Sequence, residues 1–188
     1  MTPYDKARKD TVYRIIDPYV YFYLCWIERA PSGVFASTAE KYWLEKTRTP
    51  AYLAWAGYSF ENLCLTHVVW IQRALRLDHV AFEVGSWNHI PGKGASARAG
   101  AQIDLLFDRS DGVVSLCEIK FNTEPFTVGK SYAADLKRKT DIFQAVTQSR
   151  KEVQWVLVTF NGFRSNTWSE DLINVALDAD QIFGRPAT

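Results

Sequence analysis

No stretch of this chain approaches the roughly 20 uncharged residues that a membrane-crossing helix needs. Met1 to Asp10, which carries Asp5, Lys6, Arg8 and Lys9, holds no apolar leader core either, so the expectation is a soluble protein of the cytoplasm. Cysteine is sparse. Cys25, Cys64 and Cys117 stand far apart, odd in number and each inside an apolar run, and no CxxC occurs. That pattern argues against a disulfide framework and a structural zinc site, and suits buried thiols in a reducing compartment. The histidines His67, His79 and His89 have neither HExxH spacing nor a cysteine partner, which leaves transition-metal and Cys/His hydrolase chemistry without support. GxxxxGK[ST] is absent as well, because Gly92-Lys93 lacks the upstream glycine and the following hydroxyl residue. Neither sign of charge dominates. A net charge of +1 is silent about polyanionic partners, whose binding depends on where Lys and Arg cluster.

What the chain has is apolar bulk. Of its 188 residues, 47% are hydrophobic and 14% aromatic, enough to close one sizeable core without covalent staples. Thr11 to Ile16 reads as extended, and Asp17-Pro18 as a helix start leading into Tyr19 to Arg29. Pro31-Ser32-Gly33 ends it, and Thr49-Pro50 begins another helical stretch through Tyr52, Leu53 and Trp55. The rings of Tyr13, Tyr19, Tyr21, Phe22, Tyr23 and Trp26 are expected to pack helices rather than to stack on bases. Residues 1–56 are accordingly expected to form a helical, aromatic-rich extension, and residues 57–188 the main α/β domain.

From Tyr58 to Leu77 the apolar residues Phe60, Cys64, Val68, Ile71 and Leu75 recur at helical spacing, with Glu61 at the edge of the stripe. Val80 to Trp87 alternates like a strand. Asn88 to Gly100, with Lys93 and Arg98, reads as a loose flap facing a substrate. Gln102 to Phe107 and Val113 to Phe121 predict an antiparallel hairpin, then Gly129 to Ser149 a helix with Tyr132, Leu136, Phe143 and Val146 inward. Val153 to Phe160 predicts a central strand, followed by a short mixed tail.

The hairpin carries the chemistry. Asp104 sits among Ile103, Leu105 and Leu106, and Glu118 and Lys120 share one face of the next strand among Leu116, Cys117 and Phe121. A three-residue loop, Ser110-Asp111-Gly112, with glycine in the left-handed conformation pairs Arg109 with Val113, and counting back sets Asp104 opposite Glu118. Two facing carboxylates repel unless a hard cation such as Mg²⁺ or Mn²⁺ lies between them, and Lys120 can then offset charge on a phosphate. A second acidic-x-Lys triplet, Asp135-Leu136-Lys137, falls in the predicted helix and has no aspartate on a paired strand. Lys130, Lys137, Arg138, Lys139, Arg150 and Lys151 form either a phosphate-contacting rim or a solvated helix face.

These residues and their order resemble the PD-(D/E)xK nuclease superfamily over residues 57 to 160: helix, three strands, helix, strand, with Asp and then Glu-x-Lys on the next strand. The resemblance implies a restriction-endonuclease-like α/β core, a mixed β-sheet flanked by helices, and Mg²⁺- or Mn²⁺-dependent hydrolysis of DNA phosphodiesters. It implies Asp104 and Glu118 as metal ligands, Lys120 as the catalytic lysine and Glu61 as the acidic residue of the first core helix. Ile103 replaces the usual proline. Lys130, Tyr132, Lys93 and Arg98 are further expected substrate contacts. The stretches GYSFENLC, GAQIDLLFDRSDGVVSLCEIKF and Phe126 to Tyr132 look like the C-terminal domain of archaeal-type AAA+ ATPases. That likeness implies an ATPase module in cis or trans as partner, with homo-oligomers also open. Two alternatives remain at this stage. Asp104, Glu118 and Lys120 form either a catalytic site or a buried ion-pair network, and the chain is either a nuclease or a non-catalytic module that binds DNA or holds ATPase subunits together.

Overall fold

The computed structural model describes residues 14–31, 33, 39–91 and 100–184. Asp17 opens the first helix by accepting from the Val20 amide at 2.8 Å, with Pro18 at the first helical position. Helix α1 (Pro18–Phe22) runs directly into one π-helical turn, Tyr23–Ile27. Helix α2 (Ala39–Lys46) has no counterpart among the sequence expectations; Ser37-Thr38 precedes it as a capping pair in the sequence, but its eight residues carry no sustained apolar stripe. Thr49 accepts from the Tyr52 amide at 3.3 Å and starts α3 (Pro50–Thr66). The expected division at 56/57 therefore falls inside a helix. The periodic run to Leu77 predicts one helix, but His67, at φ −112 and ψ 38, leaves helical geometry and separates α3 from α4 (Val68–Ala74).

Aromatic rings knit these helices together. Trp26 is buried, meeting Trp43 edge-on at 5.7 Å and Trp55 at 6.0 Å, and Phe22 meets Trp43 at 5.4 Å. Such edge-to-face pairs add about 0.5–1.5 kcal/mol each beyond the area they bury. Tyr13 and the start of the expected extended piece lie outside the described residues.

Beyond α4 come five strands, β1 (Phe82–His89), β2 (Ala101–Arg109), β3 (Val113–Lys120), β4 (Glu152–Thr159) and β5 (Ile173–Leu177), adjacent in space in their chain order. Pairing is antiparallel from β1 to β3 and parallel from β3 to β5, which makes the sheet mixed. Helix α5 (Lys130–Thr147) bridges the parallel pair β3 and β4, and α6 (Ala179–Phe183) follows β5. The hairpin register is the one its loop dictates: Gly112 has φ +87, and pairs run from Leu105 with Cys117 to Asp108 with Val114. Strand β5 and α6 give structure to the tail expected to be short and mixed; the five residues of β5 are too short a run to signal a strand on their own.

Each face of the sheet is covered. Phe60, Cys64, Ile71 and Ile182 from α3, α4 and α6 pack on Leu105, Phe107, Cys117 and Val156. On the opposite face Leu136 and Phe143 of α5 pack on Leu106, Val114, Leu116 and Trp155. Both α5 residues are fully buried, each stabilising the layer by about 1.5–3 kcal/mol. No helix among the described residues is long and apolar enough to cross a membrane.

Candidate functional site

Strand β2 carries one residue more than β1 opposite it. Gly85 pairs with Leu106 and Trp87 with Ile103, so two steps along β1 match three along β2. The surplus falls at Asp104 and Leu105, a β-bulge that lets Ile103 and Leu106 both enter the α5 layer. The β2–β3 pairing ends at Leu105 with Cys117, one pair short of the Asp104–Glu118 pair that the loop counting predicts. The Asp104 side chain bends onto β3, where Oδ2 accepts from the Ile119 amide at 3.0 Å.

Glu118 is buried, and each of its oxygens meets an ammonium: Oε1 lies 2.8 Å from Lys120 Nζ and Oε2 lies 2.7 Å from Lys139 Nζ. Lys120 reaches the pair from the end of β3, and its Nζ also sits 5.9 Å above the centre of the Tyr132 ring. Lys139 comes from the middle of α5, on the stripe that carries Leu136 and Phe143 at i−3 and i+4. The sequence reading sets Lys139 on a phosphate-contacting rim or a solvated helix face. Its true position has a signal in that spacing, a lysine in the buried stripe of an amphipathic helix, which demands a buried partner of opposite charge.

Charge shapes the site as burial and proximity require. Burial first, and the neighbouring Glu118 charge second, push the Asp104 carboxyl up from 3.8 to about 6, against the opposing pull of the Ile119 amide and Lys120. Burial lowers the Lys120 pKa, but the charge and hydrogen bond of Glu118 outweigh it and the net shift is upward. Lys120 is therefore a firm cation. Burial and the same carboxylates hold the Tyr132 phenol well above its ordinary range.

The remaining expected residues divide. Glu61 on α3 pairs with Arg14 at 2.8 Å, yet stays close enough for its charge to act on both Asp104 and Lys120. Tyr132, expected to contact substrate, has its hydroxyl buried beside Glu118. Lys130 is exposed and sits 5.8 Å over the ring of Trp168, an exposed residue the sequence gives no reason to single out. Lys93 and Arg98 lie outside the described residues. Of the expected rim, Lys151 is taken up by Asp108 at 2.7 Å, and Arg138 by Asp135 at 2.7 Å and the Gly100 carbonyl at 2.8 Å. That leaves the basic rim smaller than the sequence suggests.

Among the described residues no three His, Cys, Asp or Glu side chains gather as a ready-made metal cluster. The acidic donors that converge are two, Asp104 and Glu118, with two lysines as counter-charges. Chemically the set can hold a hard cation through oxygen, order a phosphate with ammonium groups, or simply neutralise itself.

No family model matches the sequence, and no curated protein does. A crystal structure of a protein of unknown function, AF1548, is similar with a TM-score of 0.37 and 18% sequence identity, over 62% of this chain. The match spans 57% of that protein's own length.

Proposed function

We propose that this chain is a divalent-metal-dependent nuclease of the PD-(D/E)xK kind that acts on DNA, as a C-terminal module of an AAA+ ATPase. The ATPase link rests on the sequence stretches named above. The observation that carries the nuclease reading is the convergence of Asp104, Glu118 and Lys120 on the mixed sheet, where the charges of Glu118 and Lys120 both act on the Asp104 carboxyl and Lys120 pairs with Glu118 at 2.8 Å.

The donor set fits magnesium, which typically binds through one or two carboxylates and fills its remaining positions with water and phosphate oxygens. Asp104 and Glu118 would hold it. The strain that raises Asp104 to about 6 is the repulsion and desolvation that a cation between the two groups relieves. When bound, such an ion supplies a Lewis acid and a water of lowered pKa. The chain's own groups do the rest. Lys120, a firm cation at the accessible end of β3, sets an ammonium against a non-bridging phosphate oxygen, and the Ile119 amide fixes the Asp104 carboxylate.

One observation favours a second reading, a non-catalytic interaction module. Both Glu118 oxygens are satisfied by lysines without any metal, as in a structural ion-pair network. Exposed apolar residues such as Ile16, Tyr19 and Tyr58 also suit a docking face. Plasmid nicking separates the two. The nuclease reading expects cutting by the purified chain in Mg²⁺ or Mn²⁺, reduced at least about 100-fold in Asp104→Ala and Lys120→Ala. Tight DNA binding with no cutting in either metal supports the module instead, and cutting that survives both substitutions removes these residues from the site.

A further inference from the structure

Glu118 has two lysine partners whose surroundings differ. Lys139 Nζ lies 2.7 Å from Oε2 with its side chain 12% exposed, and Lys120 Nζ lies 2.8 Å from Oε1 with its side chain 32% exposed. Lys139 projects from the tenth position of an 18-residue helix whose adjacent stripe residues, Leu136 and Phe143, are fully buried. Its stem is therefore flanked by packed side chains, and leaving Glu118 would strand an ammonium in that layer. Lys120 is the last residue of its strand, its more exposed ammonium can be met by solvent, and its Nζ already lies over the Tyr132 ring, so it leaves Oε1 at lower cost than Lys139 leaves Oε2.

We propose that Lys139 is the fixed positioning partner of Glu118, and that Lys120 is the exchangeable one, free to leave Oε1 for a substrate phosphate. The second half rests on the nuclease reading; the first does not. The two lysines then divide the work. Lys139 holds one oxygen of Glu118 in place, while the oxygen released by Lys120 would become available to a divalent cation. A single acidic-x-Lys pair would have to surrender its carboxylate orientation whenever the lysine turned to substrate. The helix-borne lysine removes that conflict.

The test is the lysine ammonium spectrum of the full chain labelled with ¹⁵N at lysine Nζ, with and without Mg²⁺, alongside Mn²⁺ affinity by electron paramagnetic resonance. A buried, charge-paired ammonium exchanges its protons slowly, so one protected signal is expected, at least about tenfold slower than the other lysines. It should vanish in Lys139→Met, persist in Lys120→Met and survive saturation with Mg²⁺. Lys120→Met should also tighten Mn²⁺ by about tenfold, because it removes the competing cation. If Lys139→Met does not fold, Lys139→Arg serves, since it deletes the signal and keeps the counter-charge. A protected signal that survives loss of Lys139, disappears with Lys120 or is abolished by Mg²⁺ overturns the assignment. The expected signal pattern with no metal affinity in wild type or Lys120→Met supports Lys139 as the fixed partner and refutes the metal-site reading alone.

Discussion

Asp104 should make the fold less stable at neutral pH than it would be with a neutral residue there. Its carboxyl rises from 3.8 to about 6 on folding, chiefly through burial and then through Glu118. Stability linked to the protonated group is thus fully present below about pH 4 and is lost as pH climbs through about 6. At 1.36 kcal/mol per pH unit the rise corresponds to about 3 kcal/mol, and partial solvent access trims this to roughly 2–3 kcal/mol. Asp104→Asn keeps an oxygen that can accept from the Ile119 amide and never ionises. It should therefore stabilise the protein by that amount at pH 7.5, or by roughly 5–10 °C in Tm for a chain of this size. The advantage should fade to near zero at pH 4. Urea unfolding at both pH values measures it, with an unchanged slope showing that only the native site has altered. A variant no more stable than wild type at pH 7.5, or one whose gain is equal at the two pH values, would refute the account of the site's electrostatics.

Two further outcomes follow from the fold. Gly112→Ala should cost about 1–2 kcal/mol through backbone strain at φ +87 alone, since a Cβ there meets nothing within 4 Å, and the urea midpoint reads this directly. Trp26→Ala should cost about 3–5 kcal/mol and flatten the near-ultraviolet circular dichroism, because the ring is the meeting point of Trp43, Tyr52 and Trp55; a loss under about 1 kcal/mol would mean these helices are not held by it.

The hairpin was legible in the sequence because its loop leaves little choice. Ser110-Asp111-Gly112 admits one short connection with glycine at positive φ, and the register as far as Leu105 against Cys117 follows by counting. The helices that begin at Asp17 and Thr49 were legible for a related reason, since a side-chain oxygen followed by proline is a favoured N-cap and first helical residue. Periodicity alone did less well. The stripe through Cys64 and Ile71 continues across His67 while the backbone does not, because each helix packs separately against the sheet. Lys139 was hidden by its neighbours. Within Lys137-Arg138-Lys139 the charges look like one solvated run, and only the three- and four-residue offsets to Leu136 and Phe143 reveal that the last of the three points inward. Strand β5 depends on its pairing with β4, from Trp155 with Ile173 to Val158 with Leu177, a long-range contact invisible in five residues.

The surplus residue in β2 has a consequence for how this strand can evolve. Removing Asp104 would leave Ala101, Ile103 and Leu106 at two-residue spacing, a strand of regular alternation that keeps all three in the layer with Trp87 and Phe143 but loses the carboxylate. The packing does not need the surplus residue and the acidic group does, so shortened versions of the hairpin should fold and should lack the site.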